Sequence, residues 1–184
     1  MDKLSRTRTA LLRSALELFD ERGYDATTAA AIAGRAGVSE ITFFRHFASK
    51  DAVLVDDPND PLIADAVSRQ PMELPPLAAA VAGVREAWGA VPAPAGNEVR
   101  DRLRIVSRTP SLRGALARNS GATTDAIAGA LRSRGVPQRE AAIAAAATIG
   151  ALNAALLEWA DGDDPDLGSA IEAALQVLAG GDRP

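Results

Sequence analysis

All four phenylalanines, the single tyrosine and the single histidine of this chain lie between Phe19 and Phe47, and beyond Phe47 the only aromatics are Trp88 and Trp159. Over most of such a chain a core cannot be built from large rings. It must be assembled from Ala, Leu, Val and Ile, and alanine at this frequency favours helix over sheet. With 184 residues, 47% of them apolar, the chain can hold a small aromatic-cored module joined to a larger aliphatic one. The expected fold class is all-α.

Gly, Pro and hydroxyl residues punctuate the chain as helices require. Leu11, Leu12, Ala15, Leu16 and Phe19 recur at helical spacing, and Gly23 supplies a left-handed exit from that first helix. Thr27 or Thr28 suits the cap of a second helix running to about Ala36, with Gly37 as its stop. Ser39 suits the cap of a third and Ser49 of a fourth, which Pro58 and Pro61 keep short. Leu62 to Val67 predicts a brief helix, and Leu77, Val81, Val84 and Trp88 an inward stripe on the next. A loop follows at 91–96. Val99, Leu103 and Val106 mark another helix. Leu112, Leu116, Ile127 and Leu131 mark a longer one ending at Gly135, weakened at Gly121. The last two are expected from Gln138 to Ala160 and from Pro165 to Ala179, the final one capped by Asp164. This divides the chain into a three-helix N-terminal domain, residues 1–55, and a larger helical domain, residues 56–184.

Several function classes are excluded by composition. Without cysteine there is no disulfide framework, thiolate nucleophile or cysteine-ligated zinc. Lys3, Arg6 and Arg8 are followed by no apolar run of the kind a signal peptide has, so a cytoplasmic protein is expected. The sequence holds no G-x-S-x-G, H-E-x-x-H, P-loop or dinucleotide fingerprint, and its lone histidine has no carboxylate or cysteine partner in sequence. Neither an enzyme nor a cofactor or metal site is expected. The acidic run 161–166 lacks the spacing and the closing Glu of a calcium loop and reads as a turn with a helix cap. Net charge is −4, yet residues 1–50 carry 8 Lys and Arg against 6 Asp and Glu, while the rest carries 12 against 18. The positive end is the N-terminal one.

A third helix beginning after Ser39 puts Phe43 and Phe47 on one face, with Val38 at its entrance, and leaves Glu40, Ile41, Thr42 and Arg45 on the other. Such a division serves a recognition helix, whose buried face fixes its angle while exposed N-terminal residues reach base edges in the major groove. Thr28 and Ser39 offer hydroxyls to phosphate oxygens, and Lys50 adds a charge.

From Leu11 through Leu54 the chain resembles the DNA-binding domain of the TetR family of transcriptional regulators. The matching residues are Ala15, Leu18-Phe19, Gly23-Tyr24, Thr27-Thr28, Ile32-Ala33, Ala36-Gly37-Val38-Ser39, Thr42, Phe44-Arg45-His46-Phe47 and Ser49-Lys50-Asp51. The resemblance implies a helix-turn-helix head that binds double-stranded operator DNA, with Thr28, Ser39, Glu40, Ile41, Thr42, Phe44, Arg45, His46 and Lys50 as its contacts. It also implies a larger domain for a small-molecule effector and for dimerisation, in a repressor acting on a palindromic operator. The family commonly has glycine at Ile41 and tyrosine at Phe44. Ile41 restricts close approach but can contact a thymine methyl, whereas Phe44 forfeits the tyrosine's hydroxyl bond to phosphate. These two departures leave open a second reading, a small-molecule-binding protein that has lost operator recognition. The Thr42-Phe43-Phe44-Arg45 variant resembles the branch of the family associated with mycofactocin-type gene clusters, which implies a hydrophobic or acyl-CoA-like effector.

In the remaining two thirds, Ala141 to Leu157 is uncharged. It is mostly alanine, holds Thr148 and Asn153, and is followed by Glu158, so a buried helix is expected rather than a membrane span. Ile149, Leu152, Leu156 and Trp159 form one stripe on that helix, and Leu167, Ile171, Leu175 and Leu178 another on the last. The resemblance implies that these two helices pair with their copies across a two-fold axis in a homodimer. The alternative is packing within one subunit. Trp88, Leu103, Val106, Leu116 and Ile127 are candidates for a pocket wall and equally for plain core. Arg100, Arg102, Arg104 and Arg108 would be counterions for a phosphate-bearing ligand, or a solvated face.

Overall fold

The computed structural model describes residues 3–56, 60–91, 98–164 and 166–180. They form ten α-helices and no strand: α1 (Lys3–Arg22), α2 (Ala29–Arg35), α3 (Glu40–His46), α4 (Ala52–Val55), α5 (Asp60–Arg69), α6 (Pro76–Ala90), α7 (Glu98–Arg108), α8 (Pro110–Ser133), α9 (Gln138–Asp161) and α10 (Leu167–Leu178). Two compact units result. The first is Met1–Asp56 together with Asn97–Leu116, and the second is Asp57–Gly96 with Ala117–Pro184. Residues 97–116, expected from sequence in the larger domain, therefore belong with the N-terminal helices. The helix α8 has residues in both units.

The first unit is built on α1. Leu11, Ala15 and Leu18, at helical spacing, are buried with Phe19, and Ile32 and Ala33 of α2 meet them. Phe43 of α3 is wholly buried, which is worth about 1.5–3 kcal/mol. Gly23 and Gly37 take φ of 80° and 70°, the left-handed region that ends α1 and turns the chain between α2 and α3. Ala52, Val53 and Leu54 of the one-turn α4 are buried, and α7, which packs on α4 and α1, contributes Leu103 and Val106.

The second unit has an aliphatic core of Val67, Val81, Val84, Ile127, Leu131, Ile149, Leu152, Ile171 and Leu175, with several alanines between them. Helices approach closely where side chains are smallest. At Gly83 of α6 a Cβ would stand 2.7 Å from the Val67 amide nitrogen and 2.8 Å from its Cα, so only glycine lets α6 lie against α5. Buried Arg134, just after α8, donates to the carbonyls of Gln70 and Pro71, the latter at 2.7 Å, and so closes the chain end that follows α5.

Two sequence expectations are corrected. The last helix begins at Leu167 and is capped by Asp166, whose carboxylate accepts from the amides of Gly168 at 2.9 Å and Ser169 at 3.2 Å. Asp164 instead accepts from Asp166 N, and Pro165 lies outside the described residues. Second, the stripes expected to face a second copy point inward. Ile149, Leu152, Ile171 and Leu175 belong to the subunit's own core, Trp159 is buried, and Leu156, Leu167 and Leu178 pack against that core. Large aliphatics fill the space between α9 and α10, and the outward face of α9 is left to Ile143, Ala146, Ala147, Gly150 and Ala154. By length and composition α9 could cross a membrane, but its Ala141, Ala144, Ala145, Thr148, Ile149 and Leu152 are buried in the subunit.

Candidate nucleic-acid interface

The interface is assembled by two hydroxyl caps. Thr28 Oγ1 accepts from Ala31 N at 3.1 Å and starts α2. Ser39 Oγ accepts from Thr42 N at 3.2 Å, lies 2.9 Å from Thr42 Oγ1, and starts α3. Three rings then fix the angle of α3. Phe43 meets Phe47 at 5.7 Å between centroids and meets Phe44 edge-on at 5.3 Å. Beside them, Phe19 packs on Tyr24 at 5.2 Å. With Phe43 and Phe47 inside, the opposite face presents Glu40, Ile41, Phe44 and Arg45 to solvent, with Ser39 and Thr28 exposed beside them and Thr42 half-buried.

Charged residues hold this arrangement in ways the sequence did not declare. Arg8 on α1 donates to the carbonyl of His46 at 2.8 Å, and its guanidinium lies 4.2 Å from the Phe47 ring centroid, tying α1 to the end of α3. Arg8 stands one turn before Leu11 and Leu12 on the same stripe, a signal available in the sequence. Arg35 of α2 makes a two-pronged bond to Glu21 of α1 at 2.7 and 2.8 Å, which holds the Glu21 carboxyl below its usual range. The expected phosphate contact Lys50 turns inward. Its ammonium donates to the carbonyls of Tyr24 at 2.8 Å and Thr27 at 2.9 Å and lies 3.8 Å from the Tyr24 ring centroid. The loop between α1 and α2 has carbonyls without helical partners, and the lysine satisfies two of them. The Tyr24 hydroxyl donates to Asp51, closing the same loop against the start of α4. His46 is half-buried at the end of α3, with its carbonyl occupied by Arg8.

A fourth cation links α7 to the head. Arg102 donates to the carbonyl of Leu54 at 3.0 Å and to that of Asp56 at 2.7 Å, capping α4 from a helix more than forty residues away in sequence. Arg102, one of the four arginines expected as counterions or a solvated face, is thus engaged inside the first unit. Burial pushes the Asp56 carboxyl above the ordinary aspartate range, against the opposing pull of Arg8 and Arg102.

The five residues expected to wall a pocket divide between the units. Leu103, Val106 and Leu116 lie in the first, where Leu103 and Val106 are buried. Trp88 and Ile127 lie in the second, Ile127 fully buried and Trp88 partly so. No group of three or more His, Cys, Asp or Glu residues suited to a metal occurs among the described residues.

Residues 11–56 match the family model for bacterial regulatory proteins of the tetR family, and residues 74–183 match that of the MftR C-terminal domain. The chain belongs to the TetR family. The second match agrees with the branch resemblance of the Thr-Phe-Phe-Arg segment. The HTH-type transcriptional regulator TcmR of Streptomyces glaucescens is 38% identical over 125 residues, which span 64% of this chain and 55% of TcmR. The chain therefore matches about half the length of that relative. Among solved structures, NalD of Pseudomonas aeruginosa, the secondary repressor of the MexAB-OprM multidrug efflux pump, is similar at a TM-score of 0.55 and 26% identity. That likeness covers 97% of this chain and 98% of NalD. SmeT, the repressor of the Stenotrophomonas maltophilia efflux pump SmeDEF, shares the fold at a TM-score of 0.55 and 21% identity, over 94% of this chain and 88% of SmeT. Members of this family are transcriptional regulators, in keeping with a chain not expected to be an enzyme.

Proposed function

We propose that this TetR-family protein is a cytoplasmic, ligand-responsive repressor that binds a palindromic operator as a homodimer and is released by a small hydrophobic effector. The observation that carries the reading is the division of α3, with Phe43 and Phe47 locked inside while Glu40, Ile41, Phe44 and Arg45 stand outside. A short helix held this rigidly presents fixed side chains to a groove, which is what base readout needs. Thr42 and Arg45 reach base edges, and Thr28 and Ser39 meet phosphates. The relatives support the direction of control, since NalD and SmeT are both repressors.

A second copy covers the outward face of α9 and α10 rather than the inward stripes. Ile143 is 63% and Val177 77% exposed, and around Ile143 the face of α9 is alanine and glycine, small enough for helices to approach closely. The effector, hydrophobic or acyl-CoA-like, enters the second unit among its aliphatic helices beside the partly buried Trp88. Binding there would lower operator affinity by population shift.

The test is selection of genomic fragments by the purified protein at low salt. A palindrome enriched near the chain's own gene, bound by a dimer that Ile143→Glu dissociates in sedimentation, is the expected result. Enrichment of no sequence would contradict the reading.

A further inference from the structure

On the exposed side of α3, Ile41 is 75% and Phe44 50% exposed, three residues apart and therefore neighbours on one face. Two large apolar side chains left side by side in water on a seven-residue helix, in a unit that buries its other three phenylalanines, suit an apolar counterpart in the bound state. A major groove offers one on its base edges, the 5-methyl group of thymine. We infer that Ile41 reads a thymine methyl and that Phe44 extends the same apolar surface along the strand. The inference rests on the reading of α3 as the DNA-binding helix and deepens it by naming what the helix selects.

Three features fit Ile41 to this task. It is the second residue of α3, at the end that reaches deepest among base edges. Its β-branch leaves one preferred side-chain rotamer in a helix, so its methyl groups occupy fixed positions and little freedom is lost on contact. Phe44 is held beside it by edge-on packing on the buried Phe43. Arg45, four residues after Ile41 and also exposed, leaves the hydrogen-bonding part of readout to a different side chain.

Thymine and uracil differ only by that methyl, which makes the test chemical as well as genetic. The best-bound duplex is first selected from a randomised pool with the full-length protein, and its thymines are then replaced one at a time by deoxyuridine. At one or two positions per half-site the replacement should weaken binding about three- to fivefold, the worth of one buried methyl. At the position read by Ile41, the Ile41→Ala variant should bind the thymine and deoxyuridine duplexes equally while melting at the parent's temperature. Equal binding of every deoxyuridine duplex by the parent protein would overturn the inference, as would a loss that persists unchanged in Ile41→Ala. A pool from which nothing is enriched would overturn the DNA-binding reading itself, and this inference with it.

Discussion

In the first unit, α2 and α3 each begin at a hydroxyl that accepts an amide bond, and α3 is wedged by phenylalanine rings; in the second, α10 keeps a cap at Asp166, but α6 and α9 begin after Pro75 and Pro137 with no side-chain cap and pack through alanine, valine and leucine. A cap or a ring holds an element in one place, because hydrogen-bond direction and ring shape tolerate little displacement. Methyl contacts have no preferred direction, and an aliphatic core tolerates repacking when its volume is kept, so such a bundle can adjust around a ligand. On the proposed function, the contrast suits a reading head and a sensing unit joined in one chain.

The largest effect should come from removing a ring. Phe43→Ala should cost the first unit about 3–5 kcal/mol, read by chemical denaturation, because the cavity lies under α3 with no neighbour able to refill it. A loss below 1 kcal/mol would mean that the rings are not what holds the head. Gly83→Ala tests the other unit at its tightest point. The added methyl meets the Val67 backbone, and the expected cost is about 1–3 kcal/mol of stability with DNA affinity kept when the protein is folded. No cost would show that α5 and α6 slide even there, sharpening the contrast.

Smaller still is the loss of one cap. Thr28→Ala should lower stability by about 1 kcal/mol, and Ser39→Ala by a similar amount. The smallest effect is one of sign. Since burial raises the Asp56 carboxyl above its unfolded value, the charged form opposes folding at neutral pH, and that opposition fades as pH falls toward the aspartate range near about 4. Asp56→Asn should therefore raise the melting temperature slightly at pH 7 and leave it unchanged once the wild-type carboxyl is protonated. A lowered melting temperature at pH 7 would show that attraction to Arg8 and Arg102 outweighs burial.

Legibility in the sequence follows the same division. Gly23, Gly37, Thr28 and Ser39 could be placed because turn and cap chemistry is local, and Phe43 and Phe47 because a four-residue spacing puts them on one face. Lys50 and Arg102 could not, since a long cation reaches a phosphate or a carbonyl equally well and only the fold decides which is nearer. On α9 the stripe of Ile149 and Leu152 was visible, but whether it faced its own subunit or a copy was not. Between Ala141 and Leu157 alanine covers both sides of that helix, and no charged residue marks the outward one. The return of residues 97–116 to the first unit was equally hidden, for it depends on Arg102 finding the end of α4 across a long stretch of chain.

The central claim is that α3 reads DNA, and binding of the selected duplex by Arg45→Ala and Thr42→Ala variants tests it most directly. Each substitution should weaken that duplex about ten- to a hundredfold, while affinity for unrelated DNA and the melting temperature stay close to the parent's. Parental affinity for the selected duplex in both variants would contradict the account.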